Sequence, residues 1–216
     1  RIPVGKPYDA PYTESFAGGE AATITDNYID GVATEWVGYT DEDKIGAKSQ
    51  DGDNGFSGLV SQDRGDFARL ALGKVSLKGV ENPGISFYLY NPTGGLGANL
   101  DVFTIEINAG NGWEDFYTCS LSDLALEDRW NRVMVSLEDY KGRSVQLRFS
   151  GLVDNGGLIL VDNIRIGELY AQNIGAASVT LPSGVKPNTD FSVGVNVANY
   201  GTEPFENYDV VLYRFD

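Results

Sequence analysis

The residues best placed to do chemistry in this sequence are carboxylates in unusual surroundings. Asp162 lies in "GGLILVDNIRIG", residues 156–167, the most apolar run of the chain. Removing a carboxylate from water costs several kcal/mol unless it is paired or coordinated. Strict alternation along a strand puts its side chain on the same side as four apolar neighbours. These neighbours are Leu158, Leu160, Ile164 and Ile166. Asp162 therefore needs a compensating partner.

A second group of acids lies in "DGDNG", residues 51–55, which places Asp51 and Asp53 on a chain that can fold back sharply. Ca²⁺ takes six to eight hard oxygen ligands in irregular geometry, and such loops supply them. A calcium ion shared with Asp162 would neutralise the acid in the apolar run. The alternative is that Asp162 lies near a strand end and is satisfied by backbone amides or a basic side chain. In that case "DGDNG" is only a turn.

Other candidate chemistry is limited by composition. The chain has no histidine, which excludes Ser-His-Asp and Cys-His mechanisms and zinc sites that use His. Its single cysteine, Cys119, cannot form an internal disulfide. A glycosidase needs only two carboxylates, but no acid here lies in a motif whose spacing requires acid–base work. "YTDEDK", residues 39–44, is interpreted as a solvated loop, with a metal site as the alternative. We therefore predict that the chain is not an enzyme.

Composition and charge narrow the class of protein and its partners. The 216 residues are 42% hydrophobic and 22% charged, as in a folded globular protein of one or two domains. The net charge of −15 argues against nucleic acid or an anionic membrane surface as a partner. No run of about 18 apolar residues exists, so we predict no membrane insertion. The chain opens on Arg1 without a signal-peptide pattern and is interpreted as part of a longer protein.

The elements that must position these acids are strands, because alternation is the dominant pattern. "LDVFTIEIN" (100–108), "RVMVSL" (132–137) and "SVQLRFSG" (144–151) alternate apolar and polar residues. "AGNG" predicts a hairpin turn after the first of them, and helical periodicity is weak and confined to residues 120–130. Strands every 10 to 15 residues with Gly, Asn and Asp turns predict an all-β sandwich.

A domain boundary is predicted near residues 167–172. Residues 1–9 are interpreted as a linker or the end of a preceding module, and 10–167 as the main domain. Residues 168–216 contain three further strand patterns, which is fewer than the seven of an immunoglobulin-like sandwich. We therefore expect a partial Ig-like domain there, with an edge that pairs with another copy or with the rest of a longer chain.

Four motifs, taken in order, resemble a known family. They are "APYTESFAGG", "DGDNGF", "RWNRVMVSLEDYKGRSVQLRFSG" and "GGLILVDNIRIG". Together they resemble the cleaved-adhesin or choice-of-anchor jelly-roll domains of Bacteroidetes surface proteins, which are similar to gingipain haemagglutinin and MAM domains. The resemblance covers about residues 10–167, and residues 130–167 are its most specific part. The remaining tail is similar to CARDB-like or other Ig-like modules. The implied fold is a jelly-roll β-sandwich followed by an incomplete Ig-like β-sandwich.

The resemblance also implies a function. It implies a non-catalytic, secreted or cell-surface adhesion module that binds a host glycan or protein and belongs to a larger multidomain chain. It implies structural calcium, with Glu14, Asp51, Asp53 and Asp162 as the ligand residues. This sequence departs from the family pattern where "SFAGG" lacks a common Glu and where "DGDNG" is short. The alternative is a carbohydrate-binding accessory module of a larger secreted hydrolase. No residue of the sequence identifies the ligand contacts.

Overall fold

The structure is a computed structural model that describes most of the chain. The described residues are 5–22, 27–32, 35–60, 66–91, 102–120, 130–153, 158–180, 182, 184, 186 and 189–212. The predicted weak helix at 120–130 lies mostly outside these residues. Contacts divide the chain into two compact units, Arg1–Glu168 and Leu169–Asp216. In the described residues, no helix is long and apolar enough to cross a membrane.

The first unit is built from thirteen strands within the described residues. They are β1 Tyr8–Asp9, β2 Tyr12–Glu14, β3 Tyr28–Val32, β4 Trp36–Tyr39, β5 Phe56–Val60, β6 Asp66–Ala71, β7 Val75–Ser76, β8 Pro83–Tyr90, β9 Val102–Asn108, β10 Glu114–Ser120, β11 Asn131–Ser136, β12 Ser144–Val153 and β13 Leu158–Glu168. Two short 3-10 helices, Ala17–Gly19 and Glu138–Tyr140, interrupt them. The predicted all-β fold class is therefore confirmed.

These strands form two sheets. In the first, β12 is central and pairs with β6, β7 and β9, while β3, β1 and β10 extend it outward. In the second, the order is β4, β5, β13, β8 and β11, and β2 adds to β13. The pairings are antiparallel except for β1 with β7. Apolar side chains from both sheets share one core, as expected for a sandwich.

The alternation read from the sequence places the strand faces correctly where pairing is regular. Phe103, Ile105 and Ile107 of β9 are fully buried in the core, while Thr104 of the same strand points outward. The predicted turn after β9 is confirmed, because β10 pairs back on β9 as a hairpin. Gly110 and Gly112 in that turn have φ of 114° and 104°, a conformation that glycine adopts without steric cost.

Strand β13 departs from the predicted alternation. Leu158 and Leu160 pack in a small cluster with Phe56, whereas Ile164 and Ile166 pack in the main core. The prediction that all four share one face with Asp162 is therefore wrong. The physical reason is a register shift between Asp162 and Arg165 in the pairing with β8, which reverses the parity of the strand.

The second unit contains two strands within the described residues, β14 Ile174–Thr180 and β15 Gly194–Asn199. They pair antiparallel with a register shift between Ala176 and Ser178. Apolar side chains near the end of the described chain are exposed, among them Val211 and Leu212 at 64% and 68%. The Ig-like assignment of this unit stays a prediction.

Candidate metal centre

Asp162 lies at the point where β13 changes its neighbour along one edge. Residues Leu158–Val161 pair with β5, and residues Ile164–Ile166 pair with β2. Between the two pairings Asn163 adopts a positive φ of 50°, and neither β5 nor β2 pairs with residues 162–163. This gap explains how an acid fits into the most apolar run of the sequence. The loop that precedes β5 approaches Asp162 at this point.

The structure brings three of the four predicted site residues together. One carboxylate oxygen each from Asp51, Asp53 and Asp162 lies within 4.8 Å of the others. The three residues differ in exposure, because Asp51 is exposed, Asp53 is half-buried and Asp162 is fully buried. Segments more than a hundred residues apart in sequence therefore meet at one cluster of anionic oxygens.

The surroundings of Asp162 are those of a carboxylate kept from water. The Gln50 N–H donates to its Oδ2 at 2.8 Å, and the Asn163 N–H donates to its Oδ1 at 2.7 Å. Burial is the largest cause that raises the pKa of Asp162 to about 8; the charges of Asp51 and Asp53 act in the same direction, and the two amide donors oppose them. Two amide donors therefore do not fully compensate the buried charge.

The loop of residues 51–55 is folded tightly by its own side chains. Asp51 Oδ1 accepts the Asp53 N–H at 3.1 Å, and Asp53 Oδ1 accepts the Gly55 N–H at 3.1 Å. Gly52 and Asn54 have positive φ values of 83° and 65°, which turn the chain sharply. Burial and the neighbouring Asp51 raise the pKa of Asp53. The sharp turn expected from the sequence is therefore present, and it gathers the carboxylates.

The cluster fits a hard cation by its chemistry. Two unit charges 4.8 Å apart repel by roughly 3 kcal/mol at an effective dielectric constant of about 20. Among the described residues, no lysine or arginine forms an ion pair with the three acids. Carboxylate oxygens from a flexible loop and a strand are the donor set that Ca²⁺ accepts. A bound cation or protonation of Asp162 would relieve the repulsion.

Glu14 is not a member of this group of three carboxylates. It lies on β2 with 1% exposure, where its Oε1 accepts the Phe16 N–H at 3.0 Å and its Oε2 accepts the Asn27 amide at 2.8 Å. These bonds fix the chain beside the site, because the Phe16 carbonyl packs against Gly55. Glu14 thus holds the chain segment that contacts the loop at Gly55. Its role as a calcium ligand stays a prediction.

Several residues around the cluster were not identified from the sequence. The Ser15 hydroxyl hydrogen-bonds Asp53, and the Asn163 amide donates to Gln50 Oε1 at 3.1 Å. The Trp130 indole N–H donates to the Lys48 carbonyl at 2.7 Å and so anchors the start of the loop. The only sequence signal for these contacts is the Asp-Asn pair at 162–163, since Asn tolerates positive φ. The other contacts depend on the tertiary fold.

Solved structures share the fold of the first unit. The K2 cleaved adhesin domain of Lys-gingipain superposes with a TM-score of 0.55 at 14% identity, over 73% of this chain and 99% of that one. The K3 domain from Porphyromonas gingivalis gives 0.52 at 14% identity, over 73% and 97%. The carbohydrate-binding module TmCBM61, solved with β-1,4-galactotriose, gives 0.51 at 10% identity, over 72% and 94%.

These similarities establish a jelly-roll β-sandwich, the fold class that the sequence motifs predict. The fold neighbours are cleaved adhesin domains and carbohydrate-binding modules, in agreement with the resemblance drawn from the sequence. No protein-family model matches the chain, and no curated protein sequence matches it. At 10–14% identity these neighbours define the fold and leave function to be argued from the site.

Proposed function

We propose that this chain is a non-catalytic recognition module of a larger secreted or cell-surface protein, and that a calcium ion stabilises its scaffold. Its target would be a glycan or an extracellular protein. The observation that carries the calcium proposal is the fully buried Asp162 beside two further carboxylates. The adhesin and carbohydrate-binding neighbours support the recognition role by fold analogy.

The calcium would be structural in this proposal. Asp51 and Asp53 from the loop and Asp162 from β13 would supply its side-chain ligands, and its charge would offset their mutual repulsion. Asp162 is fully buried and its two carboxylate oxygens accept the Gln50 and Asn163 amides, an environment that suits a structural ligand. The cluster therefore supports a cation that ties the loop to the sheet, and it does not support acid–base catalysis.

A second candidate function is a carbohydrate-binding accessory module of a secreted hydrolase. It is favoured by the likeness to TmCBM61, whose structure contains β-1,4-galactotriose. Binding panels separate the two roles. Binding to extracellular matrix proteins without any sugar supports adhesion, whereas binding to plant or microbial polysaccharides supports the accessory module. Absence of binding to both classes would overturn the recognition proposal and leave the calcium proposal intact.

Calcium should raise the melting temperature of the protein. If the Kd is about 0.1 mM, in the range of extracellular modules, about 1 mM Ca²⁺ adds about 1.4 kcal/mol. For a chain of this size, that corresponds to an upward shift of roughly 3–6 °C. Thermal unfolding is measured after chelation and again after calcium addition, with the Asp51→Asn/Asp53→Asn double variant as the control. Equal shifts in the variant and the wild type would place the calcium elsewhere.

A further inference from the structure

The solvent-facing side of the first sheet carries an ordered set of side chains. The outward residues of β6, β12 and β9 stand directly opposite one another in the strand register and form three rows. The apolar row is Phe67, Leu152 and Val102. The uncharged-to-basic polar row is Arg69, Ser150 and Thr104. The charged row is Arg148, Glu106 and, from β10, Asp115. We call these nine residues the sheet platform.

Glu106 and the two arginines of the sheet platform are held by hydrogen bonds and ring contacts. Glu106 is 8% exposed and accepts hydrogen bonds from Arg69 Nε at 3.2 Å and Arg148 Nε at 2.8 Å. The Ser150 hydroxyl also donates to Glu106. Both guanidinium groups lie over aromatic rings, Arg69 over Phe67 at 4.3 Å and Arg148 over Trp113 at 4.2 Å. These contacts hold the guanidinium N–H donors in place at the surface. The side chains therefore lose little conformational entropy when a ligand binds.

A groove of about 290 Å³ runs over this platform. Its walls combine apolar surface with polar groups: Phe67, Val102, Leu152, Arg69, Thr104 and Asp115. Leu152, near the C-terminal end of β12, is 39% exposed, and it forms a partly exposed apolar patch with Phe67 and Val102. A sheet face that needed only solubility would carry polar side chains at these positions. The mixture of exposed apolar and fixed polar groups is that of a ligand site.

We propose that the sheet platform binds a neutral oligosaccharide, an inference that rests on the recognition function proposed above and specifies its ligand class. A sugar ring presents an apolar C–H face and a rim of hydroxyl groups. The C–H face would pack on the apolar row, while Arg69, Thr104 and Asp115 would hydrogen-bond the hydroxyls.

Charge distinguishes a neutral sugar from other occupants. Two arginines and two acids give the platform no formal net charge, and the whole chain carries −15, which disfavours an anionic polymer. A second copy of the chain or a protein partner is disfavoured as well, because Glu and Asp are depleted at the centre of protein interfaces. The platform places Glu106 at its centre and Asp115 opposite it on β10.

The test measures calorimetric binding of β-1,4-galactotriose, cellotriose, xylotriose and mannotriose, with polygalacturonate as the anionic comparison. Leu152→Ala and Arg69→Met are the site variants. Met134→Ala is the matched control, since Met134 is 37% exposed on β11 of the other sheet. We expect at least one neutral trisaccharide to bind, Leu152→Ala to weaken it about fivefold, and Arg69→Met to weaken it about tenfold or more. Met134→Ala should leave the affinity unchanged.

Each contrary outcome has a distinct meaning. Sugar binding that neither site variant weakens would overturn the platform and preserve the recognition function. Binding of polygalacturonate alone, or of extracellular proteins without any sugar, would overturn the neutral-glycan proposal only. If sedimentation shows that the wild type is a dimer and Leu152→Ala is a monomer, this face would be assigned to self-association, and the glycan proposal would be overturned. Melting curves of both variants test whether they are folded. If Arg69→Met does not fold, Leu152→Ala still tests the proposal.

Discussion

Without calcium, the protein should lose stability steadily as the pH rises from about 5 to about 8, and the loss should level off above pH 8. The pKa of Asp162 is raised from 3.8 to about 8 in the folded state, so the folded protein binds this proton more tightly than the unfolded chain. The stabilising proton is fully present below the unfolded pKa and is lost as the pH rises through the folded pKa. Each pKa unit corresponds to about 1.4 kcal/mol, so the expected loss is several kcal/mol.

Other shifted groups act outside this pH range or in the same direction. Burial raises the pKa of Glu106 and of Glu168, but hydrogen bonds outweigh it and lower both values, so their contributions change below about pH 4.5. Burial raises the pKa of Tyr117 to about 12, above the range. Asp53 has a raised pKa and adds to the effect of Asp162. Among the shifted groups of the described residues, the slope between pH 5 and pH 8 therefore comes from the carboxylate cluster.

The measurement is urea unfolding across this pH range, in chelator and in millimolar calcium. Calcium should flatten the slope, because the cation replaces the proton as the compensating charge. Asp162→Asn should lose most of the slope in chelator, keeping only the part that Asp53 contributes, and should be more stable than the wild type in chelator at pH 8. This gain in the free energy of unfolding is reduced by about 1 kcal/mol. The single amide oxygen of Asn replaces only one of the two carboxylate oxygens that accept the Gln50 and Asn163 N–H groups.

The matched control is Asp43→Asn, in the exposed acidic loop just before the site. Hydrogen bonds from Thr40 lower the pKa of Asp43, so it does not titrate between pH 5 and pH 8. This variant should keep both the slope and the calcium response. A slope that persists in full in Asp162→Asn, or that calcium leaves unchanged, would show that the buried acid is not the group that calcium compensates.

Gly55→Ala should be strongly destabilising and should remove the calcium response. A Cβ at this position would lie 2.0 Å from the Phe16 carbonyl oxygen, which is backbone and cannot rotate away. The loop must therefore shift, at a cost of roughly 1–3 kcal/mol or more. The shift would also break the hydrogen bond from the Gly55 N–H to Asp53, which positions one of the three carboxylates.

Urea unfolding with and without calcium measures both parts of this prediction. Gly184→Ala is the control, since an added Cβ there meets no atom within 4 Å. We expect the control to match the wild type in stability and in calcium response. Wild-type behaviour of Gly55→Ala would mean that the contact between Phe16 and the loop does not determine the geometry of the site.

The sequence predicted those parts of the fold that depend on uninterrupted alternation. In β9 the buried and exposed faces follow the sequence directly, because the pairing with β12 has no shift. In β13 the same rule failed after Asp162, since a register shift changes the parity and depends on contacts with β8. A register shift of this kind depends on tertiary contacts that one strand's sequence does not contain.

The candidate site was predictable in part for the same reason. Asp162 was conspicuous because it interrupts an apolar run, and the motif resemblance linked it to Asp51 and Asp53. The separate placement of Glu14 was not predictable, because its hydrogen bonds to Phe16 and Asn27 arise from the local path of the chain. The sheet platform was also missed, since Arg69 meets Glu106 across 37 residues of sequence.

The most direct test of the calcium site is a crystal structure of the protein grown with calcium and measured by anomalous scattering. The proposal predicts an anomalous peak at about 2.3–2.6 Å from the Asp162 carboxylate, with Asp51 and Asp53 oxygens also coordinated. Density at Asp162 that contains only backbone amides, water or a basic side chain, with no anomalous peak, would contradict it.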